Sequence, residues 1–334
     1  MTALKDVARY TGLSISTVSR ALHNKSYVKD STREKVLEAV KALRYSPNVM
    51  AQSLKIGRSN TIALMIPSIQ NMIFPYITRG VEDTARKHGF MVILSNTDER
   101  TGLEKEYIAR LKTRLIDGFI IASMMPDSTH IMKLRRDQFP VVLTLRSCNR
   151  KIDAVVIDNK KAAYNAVAHL IERGHKRIAI ALGDTAVPLY AERFQGYQDA
   201  LLDYRLGFDP ALVMRERDDV RSFYRLTKTM LESGAAPDAA FATNDARAIV
   251  VMRALLDAGY RVPEDVSVIG FDDVDIATLV EPPLTTIAQP LYAIGVSAAE
   301  RLIYQIRYKE KYGVLEKPEI TIADTELIVR KSSR

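Results

Sequence analysis

The chain has 334 residues, of which 47% are hydrophobic and 26% are charged. At about 150 residues per domain this length suggests two or three domains, and the composition excludes a largely disordered chain. The single cysteine excludes an internal disulfide framework and is typical of a reducing compartment.

The net charge of +8 is concentrated near the N-terminus. Residues 1–60 carry 11 Lys and Arg against 4 Asp and Glu, a net charge of +7, whereas the remaining residues are almost neutral. A small basic module on a neutral body favours nucleic acid as a partner, and a solvated basic surface without a partner is the alternative. The N-terminus has no apolar signal core, and no uninterrupted apolar run reaches about 18 residues. We therefore expect a cytoplasmic protein that does not contact membranes.

Two helices and a tight turn are predicted in the first 22 residues. Leu4, Val7 and Ala8 recur at helical spacing, and Gly12 follows where a turn needs a permissive backbone. Ser14 then stands directly before residues 15–22, which have a second apolar face, so it is the expected N-cap of the second helix.

A third helix is predicted from residue 30 to about residue 44, with Asp30 or Ser31 as its cap. Three short helices with a glycine-containing turn between the first two follow the helix-turn-helix plan. The second helix is then the element that enters the major groove of DNA.

The residues of this region resemble the headpiece of the lactose/galactose repressor (LacI/GalR) family. The resemblance is carried by Leu4-Lys5-Asp6-Val7-Ala8, Gly12-Leu13-Ser14, Ser16-Thr17-Val18-Ser19-Arg20-Ala21-Leu22, Thr32-Arg33-Glu34-Lys35-Val36, Tyr45-Ser46-Pro47-Asn48 and Ala51-Gln52-Ser53-Leu54. One departure is Ala3, which stands where the family usually has a threonine that caps the first helix, and Thr2 is the expected substitute.

The resemblance implies that Ile15, Ser16 and Arg20 read bases. Ile15 can offer apolar contact to a thymine methyl group, whereas Arg20 can donate to guanine. Thr17 and Ser19 are assigned to phosphates, which position the protein without specifying a sequence.

The segment after the headpiece is predicted to be a short helix. Ser46 and Pro47 are a helix start signal and Gly57 is a stop, which leaves too few residues for a helix that is stable alone. By resemblance this is a hinge helix that folds on DNA, and Leu54 is the wedge inserted into a minor-groove base step. Further DNA contacts are implied for Asn48, Ser53 and Lys55. The family's usual arginine is replaced by Gln52, and an inert linker is the alternative.

Beyond residue 60 the pattern changes to alternating strands and helices. Strands are predicted at 61–67, 90–94, 118–122, 141–145, 153–157, 177–182, 239–242 and 266–270. Helices are predicted at 76–88, 102–113, 128–136, 160–173, 192–203, 223–233 and 246–258. Repeated strand–helix units predict parallel sheets with helices on both faces, and the number of strands suggests two lobes.

This body also resembles the family, whose core is similar to a periplasmic sugar-binding protein. The matching segments include Arg79-Gly80-Val81-Glu82, Gly174-His175-Lys176-Arg177, Arg193-Phe194-Gln195-Gly196-Tyr197, Thr243-Asn244-Asp245 and Val268-Ile269-Gly270-Phe271-Asp272-Asp273. The predicted fold class is therefore a small all-α helix-turn-helix headpiece plus an α/β core of two doubly wound parallel-sheet lobes.

The family layout also implies the domain boundaries. The headpiece is expected at 1–46, the hinge helix and linker at 47–59, and the effector-binding and dimerisation core at 60–334. Lobe one covers about 60–158 and 290–320, and lobe two about 159–289 and 321–334. The chain is expected to cross between the lobes near Asn159, Gln289 and Thr321.

An effector pocket between the lobes is implied by the same resemblance. Ile73 and Phe74 are expected to line it from lobe one, and Arg193, Asn244 and Asp272 from lobe two. These polar groups suit a polyhydroxylated or anionic small molecule. The structural alternatives are helix capping for Asp272, a surface ion pair for Arg193 and a capped turn for Asn244.

One departure bears on the effector. Many sugar-responsive members have an aspartate after the strand at 141–145, and this chain has Leu145 followed by Arg146. The missing carboxylate weakens the prediction of a simple hexose and leaves room for a sugar acid, a sugar phosphate or a less polar effector.

The enzyme hypothesis finds little support in the sequence. GxxxxGK[ST], HExxH and GxSxG are absent, and the five histidines are dispersed, so we expect no catalytic residues, metal or cofactor. The chain is predicted to be a homodimeric, sequence-specific transcriptional repressor. It is expected to bind a near-palindromic operator under the control of a carbohydrate-derived effector. A small-molecule binding protein without a DNA function is the alternative.

Overall fold

The protein forms two compact units, Met1–Ser59 and Asn60–Arg334. The structure is a computed structural model, and it describes residues 3–22, 27–45, 58–113, 116–122, 128–147, 151–216 and 219–334.

The described part of the first unit is a three-helix headpiece. Its helices are α1 (Leu4–Thr11), α2 (Ile15–Leu22) and α3 (Asp30–Ala42). Gly12 ends α1 with φ 68°, a left-handed conformation that glycine adopts at little cost, as the sequence predicted. One face of each helix supplies the small core of this unit, which consists of Val7, Ala8, Val18, Ala21, Val36 and Ala39.

The second unit contains two six-stranded sheets among its described residues. The first sheet has the order β11-β5-β4-β3-β1-β2, and every pair in it is parallel. Its strands are β1 (Thr61–Ile66), β2 (Met91–Asn96), β3 (Gly118–Ile121), β4 (Val141–Thr144), β5 (Asp153–Ile157) and β11 (Ile320–Ala323).

Helices cover both faces of the first sheet. They are α4 (Phe74–Lys87), α5 (Thr101–Lys112), α6 (Thr129–Arg136) and α12 (Leu291–Tyr312). The alternation along β1 shows why: Ile62 and Leu64 join the core under α4 and α12, whereas Ala63 and Met65 join the core under α5 and α6. A strand buried on both faces is a continuous apolar run, which is the pattern that the sequence showed here.

The second sheet has the order β12-β10-β9-β8-β6-β7, in which only the β10–β12 pair is antiparallel. Its strands are β6 (Ile178–Leu182), β7 (Val213–Arg215), β8 (Ala239–Ala242), β9 (Ser267–Asp272), β10 (Thr285–Ala288) and β12 (Glu326–Ile328). The accompanying helices are α7 (Asn159–Glu172), α8 (Pro188–Asp203), α9 (Ser222–Glu232), α10 (Asp245–Asp257) and the short α11 (Ile276–Leu279). The predicted class of two doubly wound lobes is confirmed.

The chain crosses between the two sheets three times. It leaves the first sheet after β5, leaves the second after β10, and passes from β11 to β12 through residues 324–325. The last crossing therefore follows Thr321, which lies within β11 of the first sheet.

Several elements were missed by the sequence analysis. They are β7, β10, β11, β12, α11 and the 22-residue helix α12. The short strands form because they pair with strands that are distant in the chain. The cap prediction for α3 was also wrong, because Asp30 already belongs to the helix and Lys29 precedes it without a side-chain hydrogen bond.

Candidate functional site

The start of α2 is fixed by Ser14. Its Oγ accepts from the backbone N–H of Thr17 at 3.1 Å, and it lies 2.8 Å from both Ser16 Oγ and Thr17 Oγ1. Ser14 is thus the N-cap that the sequence predicted, and it leaves the first turn of α2 outside the headpiece core.

The predicted DNA-reading side chains lie on the outer face of α2. Ile15 is 53% exposed, and Ser16 and Arg20 are also exposed. Thr17 and Ser19 are half-buried at the edges of this face. An exposed aliphatic residue beside exposed donors is poorly explained by packing, but it can be matched by the mixed apolar and polar edges of base pairs.

The first helix, α1, begins after Ala3, whose side chain cannot cap it. Asp6 substitutes, because its Oδ2 accepts from the Ala3 N–H at 2.9 Å while its own N–H donates to Ala3 O at 2.8 Å. The predicted substitute, Thr2, lies outside the described residues. So do Asn48, Ser53, Leu54 and Lys55 of the predicted hinge helix.

A cleft lies between the two lobes of the core, and the predicted effector residues converge on it. Ile73, Phe74, Arg193, Asn244 and Asp272 all line it. Leu145 also lines the cleft, at the position where the sequence analysis noted the missing carboxylate. The lining residues that the sequence analysis did not assign to the pocket are Asn71, Ile157, Asn159, Leu189, Tyr190 and Gln289.

Arg193, on α8, is the buried cation of the cleft. It is 5% exposed, and its Nε donates to Asn159 Oδ1 at 2.9 Å while Nη1 donates to Thr243 O at 2.6 Å. Its guanidinium lies 3.5 Å from the centroid of the Phe271 ring, and Nη1 is 3.9 Å from Asp272 Oδ1. Burial lowers the pKa of Arg193, an effect that the Asp272 carboxylate opposes. A surface ion pair is therefore the wrong description of this residue.

Asp272 ends β9 at the wall of the cleft. Its φ of 122° is rare for any residue with a side chain, and such backbone strain is concentrated at ligand sites. Burial raises the pKa of Asp272 to about 6, although the nearby Arg193, the hydrogen bond from Gln289 and the charge of Arg247 all favour the carboxylate. Asp272 is therefore protonated more readily than an exposed aspartate.

Asn244 has a structural duty as well as a place in the cleft. Its Oδ1 accepts from the backbone N–H of Arg247 at 2.8 Å, so it caps α10, which leaves its amide N–H groups as the donors it can offer. The following Asp245 is buried and accepts from Thr286 Oγ1 at 2.5 Å and from the Val274 N–H at 3.0 Å. Burial and the neighbouring Asp272 raise the pKa of Asp245 to about 7.

The wall contributed by lobe one is largely apolar. Ile73, Phe74 and Ile157 are buried there, and Leu145 joins them with φ 65°. A branched apolar side chain held in the left-handed region is costly, so the surrounding structure must enforce it. The cleft therefore pairs one apolar wall with one polar, charged wall.

The comparisons with known proteins agree with this architecture. Residues 59–326 match the family described as "Periplasmic binding proteins and sugar binding domain of LacI family". Residues 3–48 match "Bacterial regulatory proteins, lacI family". The chain belongs to the LacI family.

Curated LacI-family relatives match along almost the whole chain. The ribose operon repressor of Halalkalibacterium halodurans is 33% identical over 334 residues, which cover 100% of this chain and 98% of that protein. The HTH-type transcriptional repressor CytR of Escherichia coli is 35% identical over 332 residues, covering 99% and 96%. Catabolite control protein A of Priestia megaterium is 35% identical over 308 residues, covering 91% and 92%.

Solved structures of LacI-family proteins give the same picture. The lac repressor dimer bound to operator and the anti-inducer ONPF has a TM-score of 0.88 and 28% identity, covering 99% of this chain and 98% of that one. The complex of the transcriptional regulator CelR with cellobiose has a TM-score of 0.74 and 31% identity, covering 99% and 100%. This LacI-family chain is a DNA-binding transcriptional regulator with a ligand-binding core, and the named relatives are regulators rather than enzymes. Within the residues that the structure describes, no helix is both long and apolar enough to cross a membrane.

Proposed function

We propose that the chain is a cytoplasmic, homodimeric repressor that binds a near-palindromic operator and is controlled by a carbohydrate-derived effector in the cleft. Its parts are the headpiece at 1–46, the hinge helix and linker at 47–59, and the two-lobed core at 60–334. The operator-bound lac repressor dimer, similar over nearly the whole chain, supports the two-fold arrangement.

The headpiece reads the operator through α2. Ile15, Ser16 and Arg20 contact base edges in the major groove, because they are exposed at the N-terminal part and outer face of this helix. Thr17 and Ser19 contact phosphates. Two headpieces related by two-fold symmetry read two half-sites.

The hinge segment couples the headpiece to the core. Asn48, Ser53 and Lys55 hold the segment on DNA, and Leu54 is inserted into a minor-groove step and bends the duplex. The effector shifts the core between two shapes, only one of which places the hinge helices for this contact. The coupling is reciprocal, so the operator changes effector affinity by the same factor.

The effector is a sugar or a sugar derivative. The observation that carries this proposal is the convergence of Arg193, Asn244 and Asp272 with Ile73 and Phe74 on one cleft between the lobes. Sugars combine hydroxyl groups with apolar ring faces, and these walls offer polar partners on one side and apolar surface on the other. The relatives support the same class, since one is named a ribose operon repressor and another was solved with cellobiose.

The test is binding of the purified protein to its own upstream DNA at two salt concentrations, with the wild type and Leu54→Ala. We expect tight, sequence-selective binding that Leu54→Ala weakens at least tenfold. Sugars then screened against the complex should include one that changes operator affinity.

The opposite result is weak binding that depends steeply on salt and is unchanged by Leu54→Ala. It would mean that the basic headpiece binds DNA without specificity, and the hinge mechanism would be abandoned. Deletion of residues 1–58 tests the alternative, a small-molecule binding protein without a DNA function. Such a protein would keep its biological activity after the deletion, whereas a repressor would lose it.

A further inference from the structure

Arg247 is a second buried arginine behind the effector cleft. It is the third residue of α10 and is only 4% exposed. Its Cζ lies 4.6 Å from the centroid of the Tyr190 ring and 5.5 Å from that of Phe223. Its Nη1 donates to Thr243 Oγ1 at the long distance of 3.5 Å.

This guanidinium has no counter-charge among the described residues. No carboxylate in that part of the chain lies within 4.0 Å of it, and its buried Nε has no hydrogen-bond partner there. Burial of an unpaired cation is strongly unfavourable, and two aromatic faces offset only part of that cost. A buried polar group left unsatisfied in this way is open to a partner that the described residues do not supply, such as a water molecule or an ion.

Arg247 lies one side chain away from the cleft. The Tyr190 ring lines the cleft and also lies against the Arg247 guanidinium. The charge of Arg247 lowers the pKa of both Asp272 and Arg193, which line the cleft, so its electric field acts on the cleft.

The space around this arrangement is closely fitted. A Cβ added to Gly183 would lie 2.6 Å from Tyr190 Cε2 and 2.8 Å from Arg247 Nη2. A side chain at residue 183 would therefore displace the ring or the guanidinium from these positions. The arginine is buried in this space rather than held at the surface.

The two arginines differ in how their charge is balanced. Arg193 lies 3.9 Å from the Asp272 carboxylate, whereas Arg247 has no acidic neighbour at that distance in the described structure. We propose that Arg247 supplies the counter-charge for an anionic group of the effector, which enters beside the Tyr190 ring and is held between Arg247 and Arg193. This inference rests on the proposed effector cleft and narrows the effector to a carbohydrate with a carboxylate or phosphate group.

The test compares acidic sugars with their neutral counterparts on the full-length protein. Isothermal titration calorimetry would use D-gluconate, D-glucuronate and D-galacturonate against D-glucose and D-galactose for the carboxylate arm. D-glucose 6-phosphate and D-ribose 5-phosphate against D-glucose and D-ribose form the phosphate arm. We expect at least one acid to bind the wild type tenfold or more tightly than its neutral counterpart, because hydrogen bonds to charged groups are the strong ones. The arm that binds identifies the anion.

Three variants then assign the preference to Arg247. Arg247→Met fills the same space without charge and should lose the preference for the acid, while Arg247→Lys should keep part of it. Arg215→Met is the matched control, since Arg215 also lies over an aromatic ring, that of Phe194 at 4.9 Å, but is exposed and does not line the cleft. It should bind the acid as the wild type does. Removing an unpaired buried cation should leave the melting temperature unchanged or raise it.

The inference is overturned if no acid binds the wild type more tightly than its neutral counterpart, or if Arg247→Met keeps the preference. The first comparison needs no variant, so poor folding of Arg247→Met cannot obscure it. A separate measurement of operator binding tests the proposed function. If a neutral sugar releases the operator equally from the wild type and from Arg247→Met, the proposed function is retained and the anionic effector is rejected.

Discussion

Gln289 makes two hydrogen bonds to Asp272, one to its carboxylate in the cleft and one to its backbone carbonyl group. Its Nε2 donates to Asp272 Oδ1 at 2.6 Å, and its backbone N–H donates to Asp272 O at 3.3 Å. Gln289 directly follows β10, where the chain crosses from lobe two to lobe one. Its buried Oε1 has no partner among the described residues, so it is available to a ligand hydroxyl group. A segment that crosses between the lobes is thus bonded to the residue proposed to bind the effector.

Gln289→Leu should weaken the effector response without weakening the operator complex. The variant removes the donor to Asp272 and the free acceptor, and hydrogen bonds to charged groups contribute about 1.5–3 kcal/mol. We expect the effector concentration for half-maximal change in operator binding to rise at least tenfold, as measured by fluorescence anisotropy.

Gln195→Leu is the control for this change. Gln195 also donates to an aspartate, Asp199 Oδ1 at 2.7 Å, but the pair is exposed and outside the cleft. It should respond to the effector as the wild type does. Equal responses from both variants would remove Gln289 from the effector site.

The stability of the core should fall as the pH rises from about 4 to 7. The pKa of Asp245 is raised to about 7 and that of Asp272 to about 6, whereas unfolded aspartates titrate near 3.9. The folded state therefore binds more protons between these values, so the stabilisation is complete below about pH 4 and is lost as the pH passes 6 and 7. The expected slope is about 1.4 kcal/mol per pH unit for each proton, from urea unfolding followed by circular dichroism.

Asp245→Asn should flatten this dependence above pH 6. Asparagine imitates the protonated carboxyl, because it can accept from the Val274 N–H and donate to Thr286 Oγ1, whose hydroxyl can turn. Asp265→Asn is the control, since the hydrogen bond from Arg261 lowers the pKa of the exposed Asp265 to about 2 and its effect is confined to acid. An unchanged slope in Asp245→Asn would show that Asp245 is ionised across this range.

Arg20→Ala should weaken operator binding and relax the preference at one base pair. A bidentate arginine–guanine contact contributes about 1–3 kcal/mol of discrimination, so we expect a tenfold or larger loss for the native operator. Lys41→Ala removes an equal charge from the exposed end of α3. If Lys41→Ala weakens binding to each operator variant as much as Arg20→Ala does, then Arg20 contributes only its charge and does not read a base.

Gly80→Ala should destabilise the core by at least about 2 kcal/mol, as overpacking at a rigid contact does. A Cβ at Gly80 would lie 2.2 Å from Tyr292 O, and one at Gly295 would lie 2.2 Å from Ile77 O, so α4 and α12 meet backbone to backbone. Neither carbonyl can move without distorting its helix.

Gly102→Ala provides the matched comparison in thermal unfolding. This glycine is in α5, is exposed, and has nothing within 4 Å of an added Cβ. The substitution should be neutral or stabilise by up to about 1 kcal/mol, because alanine has the higher helix propensity. A loss of stability equal to that of Gly80→Ala would exclude close helix packing as the cause.

The helices of the headpiece and the buried strand β1 could be predicted because their signals are local. The Ser14 cap, the turn at Gly12 and the apolar run of β1 are each encoded within a few consecutive residues. The cleft residues Ile73, Phe74, Arg193, Asn244 and Asp272 came from the resemblance, since nothing in their spacing brings them together. The DNA-contact residues and the domain boundaries remain predictions.

The amino-acid sequence by itself determined a basic helix-turn-helix module followed by repeated strand–helix units, because charge and apolar periodicity are local properties. Only the tertiary structure decided that β12 pairs antiparallel with β10, that Gln289 bonds to Asp272, and that the buried Arg247 Nε has no hydrogen-bond partner among the described residues. Each of these depends on residues that are distant in the chain and adjacent in space. Burial, which changes both the cost of a charge and the strength of a hydrogen bond, exists only after the lobes have packed.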